Sequence, residues 1–380
     1  MPVKRDEKSD EALRILFCVN WAVEKIREED TTRFSPDYCV PGEPYWFFRH
    51  GDQRFEVDVL DCRSVFGLHV MERRIARSYP LKSALAWLRS RSYDVIVSHG
   101  AQMGLGIALL QTLFPGVPSA PHVMFDVGAI SGGAHGWNHP AVIKGFRFAF
   151  GSLAAAICHS SHQLEFYRQE YPHVATVAHF IPLGVDTEVF RPQDIAVEDE
   201  IICIGYALRD WDLLVRAYAR LHAKTRLILL GVPAEQCISC PGVECVPRVN
   251  IEVMRQRIAK ARFVVLPLPP VDFCIGQQTF LQSMAMGKAV LVSDIPAAKD
   301  YITDGENGFL YRAGNEDDLY EKLLYLLSAD DVVKTAGQTA RVTAMNRFSE
   351  KLMSEKIGGL LREVAMKNSG RRESALPTAL

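Results

Sequence analysis

The sequence predicts an α/β protein whose parallel sheets fall into two domains. Short apolar runs of strand length alternate with longer runs in which apolar residues recur at helical spacing. Strands that alternate with helices in this way form right-handed βαβ units and a parallel sheet. The alternation stops at a connector rich in turn-forming and acidic residues and then starts again. A chain of 380 residues is long enough for two such domains.

The first half of the chain contains five predicted strands. They are LRILFCVN, RFEVDVLDC, YDVIVSHG, PHVMFDVG and AAAICHS, and helices are predicted between them at YPLKSALAWLRSR and QMGLGIALLQTLF. We therefore expect one Rossmann-like sheet in this half.

The second half starts after the connector HFIPLGVDTEVFRPQDIAVEDE. Its predicted strands are EIICIGY, TRLILLG, VECVP, RFVVLPL, KAVLVSD and GFLYR, and its first helices are DWDLLVRAYARLHA and IEVMRQRIAKA. We place an N-terminal domain at 1–185 and a C-terminal domain at 186–345. A helix at 346–366 is expected to pack back toward the N-terminal domain, and the tail at 367–380 is expected to be disordered.

Composition and charge exclude several classes of protein. The net charge of −2 argues against a general nucleic-acid binder, which needs a strongly basic surface. The chain starts with the charged run MPVKRDEKSDEA, unlike a secretory signal, and no apolar run is long enough to span a bilayer. We therefore expect a cytoplasmic protein.

The nine cysteines are mostly scattered through apolar runs, so we expect buried, reduced thiols. Cys237, Cys240 and Cys245 have a spacing that suggests metal binding. Three thiols without a convincing fourth ligand are weak evidence for zinc, and we predict no metal site.

The most informative segment runs from Cys274 to Asp294. A glycine-containing loop leads into a short helix, at the end of a strand that is predicted to be buried. The backbone amides of Gly276, Gln277, Gln278 and Thr279 are expected to face an anion such as a diphosphate, because the first amides of a helix have no partner within it. The carboxyl edge of a parallel sheet is also where such folds place ligands. The alternative is an ordinary capped helix on a buried strand.

Three motifs together resemble those of family-four (group 1) glycosyltransferases. They are IPLGVDTEVFRP, LQSMAMGKAVLVSD and IPAAKDYITDGENGFLYRAGNEDDL; the resemblance is dense from Ile181 to about Phe348 and thin before it. It implies the GT-B architecture, in which two Rossmann-like domains face each other across a cleft. It also implies a nucleoside-diphosphate sugar held by the C-terminal domain, a hydroxyl acceptor on the N-terminal domain, and transfer with retention. No bound metal or other cofactor is implied.

The resemblance also assigns donor-binding residues. Family members usually have two glutamates, which fall here on Cys274 and Gln282. The Gln282 amide can still bond ribose hydroxyls, whereas Cys274 is a poor replacement for a carboxylate. Relatives hold the base with backbone groups near Arg248 and Val249, although Asn250 is also suited to capping the next helix.

Arg209 is the one cation in the loop that begins at Gly205, where relatives carry a basic pair. Its guanidinium is expected to grip the phosphates and stabilise the leaving group. The alternative is a surface ion pair with Asp210 or Asp212.

Several polar residues end the strands of the first half. His99 and Asp126 are catalytic candidates, and Asn20 and Trp21 are acceptor-side candidates at the end of the first strand. The histidine that relatives carry near this edge falls on Phe125, so the assignment is not direct. Capping or structural roles are the alternatives for His99, Asp126 and the nearby His122, as is a core position for Trp21.

Two further segments are acceptor-side candidates. The glycine-rich loop GAISGGAHGWNHP carries His135 and Trp137 and suits a lid that stacks on a sugar; a mobile surface turn is the alternative. The basic segment 69–91 suits contact with anionic lipid or a phosphorylated acceptor at the inner face of the membrane; a solvated helix face is the alternative.

We therefore expect a retaining hexosyltransferase. A nucleotide-sugar 2-epimerase and a catalytically inactive GT-B partner protein stay open, the latter because both usual glutamates are missing. A dinucleotide oxidoreductase is disfavoured because no G-x-G-x-x-G opens the first helix after a strand.

Overall fold

The computed structural model describes residues 12–21, 23–25, 38–39, 46–50, 55–61, 64, 79–128, 140–205, 208–222, 224–271 and 273–375. Among these residues the chain divides into two compact units. Unit 1 holds the residues up to Ile181 together with those from Ser354 onward, and unit 2 holds Pro182–Met353. The boundary in the connector lies four residues before the one placed at 185/186 from the sequence.

Unit 1 is built on a six-stranded parallel sheet in the order β4-β1-β5-β6-β7-β8. The strands of unit 1, including the separate pair β2 and β3, are β1 (Leu13–Cys18), β2 (Glu24–Lys25), β3 (Tyr38–Cys39), β4 (Phe55–Leu60), β5 (Val95–His99), β6 (His122–Asp126), β7 (Leu153–Cys158) and β8 (Ala178–Phe180). Side chains of β1, β5, β6 and β7 are almost all buried, which explains their nearly continuous apolar sequences.

Helices connect these strands and pack closely on one another. They are α1 (Pro80–Arg89), α2 (Ala101–Leu113), α3 (Pro140–Ala149), α4 (Ser161–Glu170) and α5 (Pro172–Ala175), with short 3₁₀ turns at Trp46–Phe48, Ser90–Ser92 and Phe150–Ser152. A Cβ atom added to Gly106 of α2 would lie 2.5 Å from the Ser83 hydroxyl of α1. Glycine therefore permits the close approach of these two helices.

Unit 2 repeats the architecture, with a six-stranded parallel sheet in the order β11-β10-β9-β12-β13-β14. Its strands are β9 (Glu200–Ile204), β10 (Arg226–Leu230), β11 (Val243–Val246), β12 (Val264–Leu266), β13 (Val290–Asp294) and β14 (Phe309–Arg312). Each corresponds to one of the six strands predicted for this half. Two parallel sheets with connecting helices confirm the predicted α/β class.

Helices accompany the strands of unit 2, and three of those described begin at polar caps that the sequence makes recognisable. They are α6 (Trp211–Ala219), α7 (Ile251–Lys260), α8 (Gln277–Ala285), α9 (Pro296–Lys299), α10 (Glu316–Ser328) and α11 (Asp330–Arg347), with a 3₁₀ turn at Ala234–Gln236. The side chains of Asp210, Asn250 and Asn315 accept hydrogen bonds from first-turn amides of α6, α7 and α10. The capping role considered for Asn250 is therefore confirmed.

The last helix, α12 (Glu350–Ala375), extends past the end predicted for it. The sequence placed the start of a disordered tail at residue 367, whereas the backbone stays helical to Ala375. Lys367 donates to Glu363 one turn earlier at 2.6 Å, and the arginines, glutamate and alanine that follow are good helix formers. These preferences outweigh the single glycine at position 370. None of the described helices is long and apolar enough to cross a membrane.

One pair of cysteines contradicts the expectation of reduced thiols. Cys237 and Cys245 form a disulfide, with their Cα atoms 6.1 Å apart, because the segment after β10 turns back beside β11. Cys18, Cys158 and Cys203 are buried thiols, as expected. No group of three or more metal-ligating side chains occurs within the described ranges.

Candidate functional site

The first turn of α8 lies at the carboxyl end of β12 and forms the centre of the candidate site. Gly276 precedes the helix with φ +77°, and a Cβ atom added there would lie 2.8 Å from Leu268 Cδ1. Only glycine fits this backbone without strain. No side chain caps the helix, so the first-turn amides of Gln277, Gln278 and Thr279 have no capping partner. Such a helix start is suited to binding an anion.

Hydrogen bonds from distant residues hold the loop before this helix. The Ser293 hydroxyl of β13 accepts from the Leu268 amide at 2.8 Å and donates to the Tyr311 hydroxyl at 2.8 Å. The Asp210 amide donates to the Pro267 carbonyl at 2.8 Å. The ends of β12, β13 and β14 and the start of α6 therefore support one rigid loop. The hydrogen bond between the Ser293 and Tyr311 hydroxyls, here called the Ser293–Tyr311 brace, was not predicted from the sequence. A pair of hydroxyls on separate strands leaves no local pattern in the sequence.

Arg209 lies beside the first turn of α8. Its Nε donates to the Ile204 carbonyl at 2.9 Å, and its Nη2 donates to Thr279 Oγ1 at 3.2 Å. Burial lowers the pKa of the guanidinium from its ordinary value. The preceding Leu208 has φ +54°, which is unusual for a residue with a side chain and marks a constrained loop. The structure thus fixes a partly desolvated cation next to the open amides.

The acidic neighbour of Arg209 has another partner. Asp210 Oδ1 accepts from the Leu213 amide at 3.0 Å and so caps α6. Arg209 and Asp210 line a cavity of about 330 Å³ together with Trp211, Asp212 and the segment Glu235–Ile238. Asp210 therefore serves as the cap of α6. This role does not depend on the surface ion pair with Arg209 that was considered as an alternative.

Three side chains of the predicted donor site are wholly or partly buried. Gln277 is 5% exposed, and its Nε2 is buried with no hydrogen-bond partner among the described residues. Gln282 is also 5% exposed, and Cys274 is half-buried against the core of unit 2. A buried, unpaired amide N–H is costly, so Gln277 is the clearest donor that a ligand would satisfy here.

The segment after β11 leaves Arg248 exposed and Val249 half-buried against the core of unit 2. With Gly205 at the end of β9 and the first turn of α8 after β12, the predicted donor residues lie at one edge of one sheet. Their contact with a nucleotide stays a prediction.

In unit 1, His99 lies in an aromatic cluster at the end of β5. Its ring stacks on Phe47 and Phe125, with centroids 5.5 and 5.7 Å away, and meets Trp21 edge-on at 4.7 Å. Burial, together with the smaller effect of the charge of His159, lowers the pKa of His99 to about 3. The imidazole is therefore neutral at pH 7 and suited to hydrogen bonding rather than to carrying charge.

His159 is a residue that sequence reasoning missed. It follows β7, and its Nδ1 lies 2.8 Å from the Ile181 carbonyl. Its ring stacks on Phe47 at 6.4 Å and lies 5.9 Å from Phe125, which makes it part of the aromatic cluster around His99. The signal was present, because His159 follows its strand in AAAICHS much as His99 ends its strand in YDVIVSH.

Two other strand-end candidates have structural contacts. Asp126 is fully buried, and its carboxylate accepts from the Tyr167 hydroxyl at 3.1 Å and from the Gly128 amide at 2.9 Å. His122 is fully buried, with Nε2 2.8 Å from the Ser98 hydroxyl, and burial lowers its pKa to about 3. These contacts favour the structural alternative for both residues.

The structure describes two of the remaining acceptor-side candidates, Asn20 and Trp21. Asn20 donates to Gln102 Oε1 at 2.7 Å, and Trp21 Nε1 is buried without a partner among the described residues. His135 and Trp137 lie outside the described residues, as do the arginines at 73, 74 and 77. Lys82, predicted on a solvated basic face, is instead buried, with its ammonium 4.9 Å from the centre of the Tyr79 ring. That part of the prediction is wrong, because the Lys82 side chain lies on the inner side of α1.

Comparison with known proteins identifies the family. Residues 198–329 match the family model described as Glycosyl transferases group 1. The chain is 26% identical over 298 residues to MMP alpha-(1->4)-mannosyltransferase of Mycolicibacterium hassiacum, an alignment that covers 72% of this chain and 71% of that protein. It is 28% identical over 215 residues to D-inositol 3-phosphate glycosyltransferase of Stackebrandtia nassauensis, of which it spans less than half, 45%.

Solved structures show the same fold at low sequence identity. Anabaena HepE in complex with UDP superposes with a TM-score of 0.67 at 14% identity, covering 92% of this chain and 100% of that one. Sucrose-phosphate synthase of Thermosynechococcus elongatus gives a TM-score of 0.67 at 13% identity, covering 93% and 100%. The predicted family is confirmed. Residues 198–329 match the group 1 glycosyltransferases, and the chain has the GT-B fold.

In this glycosyltransferase the family match covers most of the candidate donor site. Residues 198–329 include Gly205, Arg209, the segment after β11 and all of α8. The uncapped helix start and the arginine beside it therefore belong to the part of the chain that is most similar to its family. The aromatic cluster around His99 lies outside that match.

Proposed function

We propose that this glycosyltransferase moves a hexose from a nucleoside-diphosphate sugar to a hydroxyl acceptor with retention of anomeric configuration. The observation that carries the proposal is the uncapped first turn of α8 with Arg209 hydrogen-bonded to Thr279 within it. Backbone amides and one guanidinium at this place match the charge of a diphosphate. HepE, which has the same fold, was crystallised in complex with UDP, and this supports a nucleotide as the ligand.

The reaction that we propose needs no nucleophile from the protein. The bond between the anomeric carbon and the diphosphate oxygen breaks, and negative charge develops on the leaving diphosphate. The amides of α8 and the Arg209 guanidinium stabilise that charge, because they are held in place before the reaction. The acceptor oxygen forms the new bond on the same face of the sugar, and its proton passes to the diphosphate oxygen. We propose that this chemistry requires no bound metal.

Acceptor binding is proposed for the strand ends of unit 1. The neutral ring of His99, the buried Nε1 of Trp21 and the Asn20 amide offer donors and acceptors beside aromatic surfaces. Aromatic faces and neutral hydrogen-bonding groups are suited to sugars, which carry both apolar and hydroxyl surfaces. The hydroxyl acceptor is therefore proposed to be a sugar or a molecule that carries one.

We also propose a peripheral contact with an anionic membrane surface. Leu81 and Leu88 on α1 and Leu113 and Phe114 at the end of α2 are each 48 to 51% exposed. Arg89 and Arg91 are exposed at the end of α1, and three arginines precede the helix in sequence. An apolar patch on a helix that ends in exposed arginines matches the apolar interior and anionic headgroups of such a membrane.

The first experiment is a thermal-shift screen with UDP, GDP and a panel of their sugars, because a ligand that binds only the folded form raises the melting temperature. Donors that stabilise the protein are then incubated with sugar acceptors, and nucleotide release and the anomeric NMR signals of the product are measured. We expect release that depends on an acceptor and a product with the anomeric configuration of the donor. Isomerisation of the donor without an acceptor would identify an epimerase. Stabilisation without turnover would identify an inactive partner protein, and an absence of nucleotide binding would contradict the proposed site.

A further inference from the structure

A second cavity lies at the end of α8 opposite the candidate donor site. It measures about 370 Å³, and its lining includes Gln193, Ile195, Met286, Lys288, Gln338 and Arg341. These residues come from the connector before β9, the segment after α8 and the helix α11. The cavity therefore lies at the amino edge of the sheet, whereas the first turn of α8 lies at the carboxyl edge. The nine residues of α8 separate the two places by about 13 Å.

Lys288 offers a spare hydrogen bond in this cavity. Its Nζ donates to the carbonyls of Ala259 and Ala261, both at 2.7 Å, at the end of α7. An ammonium group has three N–H donors, so one N–H has no partner among the described residues. Burial lowers the pKa of Lys288 to about 8, because the ammonium group is partly removed from water.

Arg341 is a second cation in the lining of this cavity. Its Nη1 donates to the carbonyls of Thr187, Phe190 and Ala285 at 2.7 to 3.0 Å. The other guanidinium nitrogens make no hydrogen bond to any described residue. Burial lowers the pKa of Arg341, Glu188 opposes that shift only in part, and no acidic side chain lines the cavity. The cavity is therefore positively charged, with donors left over.

Other residues that line the cavity add a hydrogen-bond acceptor and an apolar surface to its positive charge. Gln193 Oε1 is buried and accepts no hydrogen bond from the described residues. A buried acceptor without a donor is costly, so a hydroxyl in the cavity would be stabilised there. Ile195 and Met286 give the cavity an apolar wall. Donors, an acceptor and an apolar surface thus converge in one small space.

We infer that this cavity is a second ligand site, which takes a small organic oxyanion with a hydroxyl group and an apolar body, such as a phosphate monoester. The anionic oxygens accept from Lys288 and Arg341, and a hydroxyl donates to Gln193 Oε1. The apolar body packs on Ile195 and Met286. The occupant does not compete with a nucleotide at the first turn of α8, because the two sites lie at opposite ends of that helix.

The test uses 4-hydroxyphenyl phosphate as the probe, with inorganic phosphate and hydroquinone as its two halves, in calorimetric titrations of the whole chain. Val197 lines the cavity and is 57% exposed, so Val197→Trp fills the space without disturbing the core. Val342→Trp is the matched control, since Val342 is 56% exposed and is not part of the lining. Arg209→Ala removes the cation of the donor site and leaves this cavity intact.

We expect saturable binding of one 4-hydroxyphenyl phosphate, weaker binding of each half, and a loss of at least about tenfold in affinity for Val197→Trp. Val342→Trp and Arg209→Ala should bind as the wild type does. An absence of saturable binding, or equal affinity in the two tryptophan variants, would overturn the inference. Loss of binding in Arg209→Ala would place the probe at the donor site and would also overturn it. Because no nucleotide takes part, failure of this test is distinct from failure of the proposed function.

Discussion

Arg209 Nη2 and Thr279 Oγ1 lie 3.2 Å apart and join two strand ends of unit 2. Arg209 follows β9, and Thr279 lies in the first turn of α8 after β12, 70 residues later. This hydrogen bond holds the guanidinium beside the N-terminal turn of α8, whose amides have no side-chain cap. One contact between distant residues thus sets the position of the cation relative to the anion-binding amides.

The first prediction concerns Arg209→Ala. Because the guanidinium stabilises charge that develops only in the transition state, kcat should fall about 100- to 1,000-fold. The lost hydrogen bonds should cost about 1–2 kcal/mol of unfolding free energy, so the protein should stay folded. Turnover is measured by nucleotide release, and stability by denaturant unfolding. Arg312→Ala is the control, since the Arg312 side chain is 70% exposed and pairs with Asp318 in the same unit. Equal turnover in the two variants would remove Arg209 from the mechanism.

The second prediction separates backbone strain from steric crowding at Gly276. Gly276→Ala should destabilise the protein by about 1–2 kcal/mol through its positive φ alone. The added Cβ, 2.8 Å from Leu268 Cδ1, should also displace the loop and weaken nucleotide binding about tenfold or more. Gly305→Ala is the matched control, because Gly305 has φ +80° and no atom within 4 Å of an added Cβ. Calorimetry with UDP or GDP measures binding. If both variants bound nucleotide equally well, the close fit at Gly276 would have no role in the site.

The sequence was sufficient to predict the centre of the donor site but not its support. Gly276 and α8 were predictable because a glycine before a short helix at a strand end is a local pattern. The Ser293–Tyr311 brace was not, because it joins side chains that only the folded sheet brings together. The spacing of Cys237 and Cys245 also could not distinguish a metal ligand from a disulfide, since that depends on how the chain turns back beside β11.

The unit 1 predictions show the same limit. His99, His122 and Asp126 lie on strands with similar sequence patterns, and only their contacts in the folded protein distinguish them. The Asp126 carboxylate is hydrogen-bonded to the Tyr167 hydroxyl, and the His122 ring to the Ser98 hydroxyl. The His99 ring instead lies among aromatic rings. Alternation along a strand predicts which element a residue belongs to. It does not predict which polar side chain finds a partner within the protein.

The third prediction concerns acid stability and His122. Burial lowers its folded pKa to about 3, below the unfolded value near 6.5, so the unfolded chain binds the extra proton first. The free energy of unfolding should therefore decrease as pH falls from about 6.5 toward 3, by about 1.4 kcal/mol per pH unit from this residue. His99 and His159, with pKa values lowered to about 3 and about 4, add to the same trend.

His122→Gln isolates the contribution of that residue, because the amide can bond Ser98 without titrating. Denaturant unfolding between pH 4 and pH 6 should show a shallower slope than in the wild type, by about 1 kcal/mol per pH unit. Above pH 7 the two slopes should coincide, since His122 is then neutral in both states. Identical slopes in the acidic range would show that His122 is not held neutral by burial.

The last prediction concerns the apolar patch formed by Leu81, Leu88, Leu113 and Phe114. Leu88→Asp removes buried apolar area at the membrane and places a negative charge beside Arg89 and Arg91. Partitioning onto vesicles that contain anionic phospholipid should fall about tenfold or more, measured by co-sedimentation. Leu324→Asp is the matched control, because Leu324 is 49% exposed and belongs to unit 2.

Wild-type protein should also bind weakly to vesicles of neutral lipid, since arginines contribute only where headgroups are anionic. Equal binding to both kinds of vesicle, or equal loss in the two variants, would mean that this patch does not contact a membrane, whereas selective loss in Leu88→Asp would place unit 1 at the lipid surface.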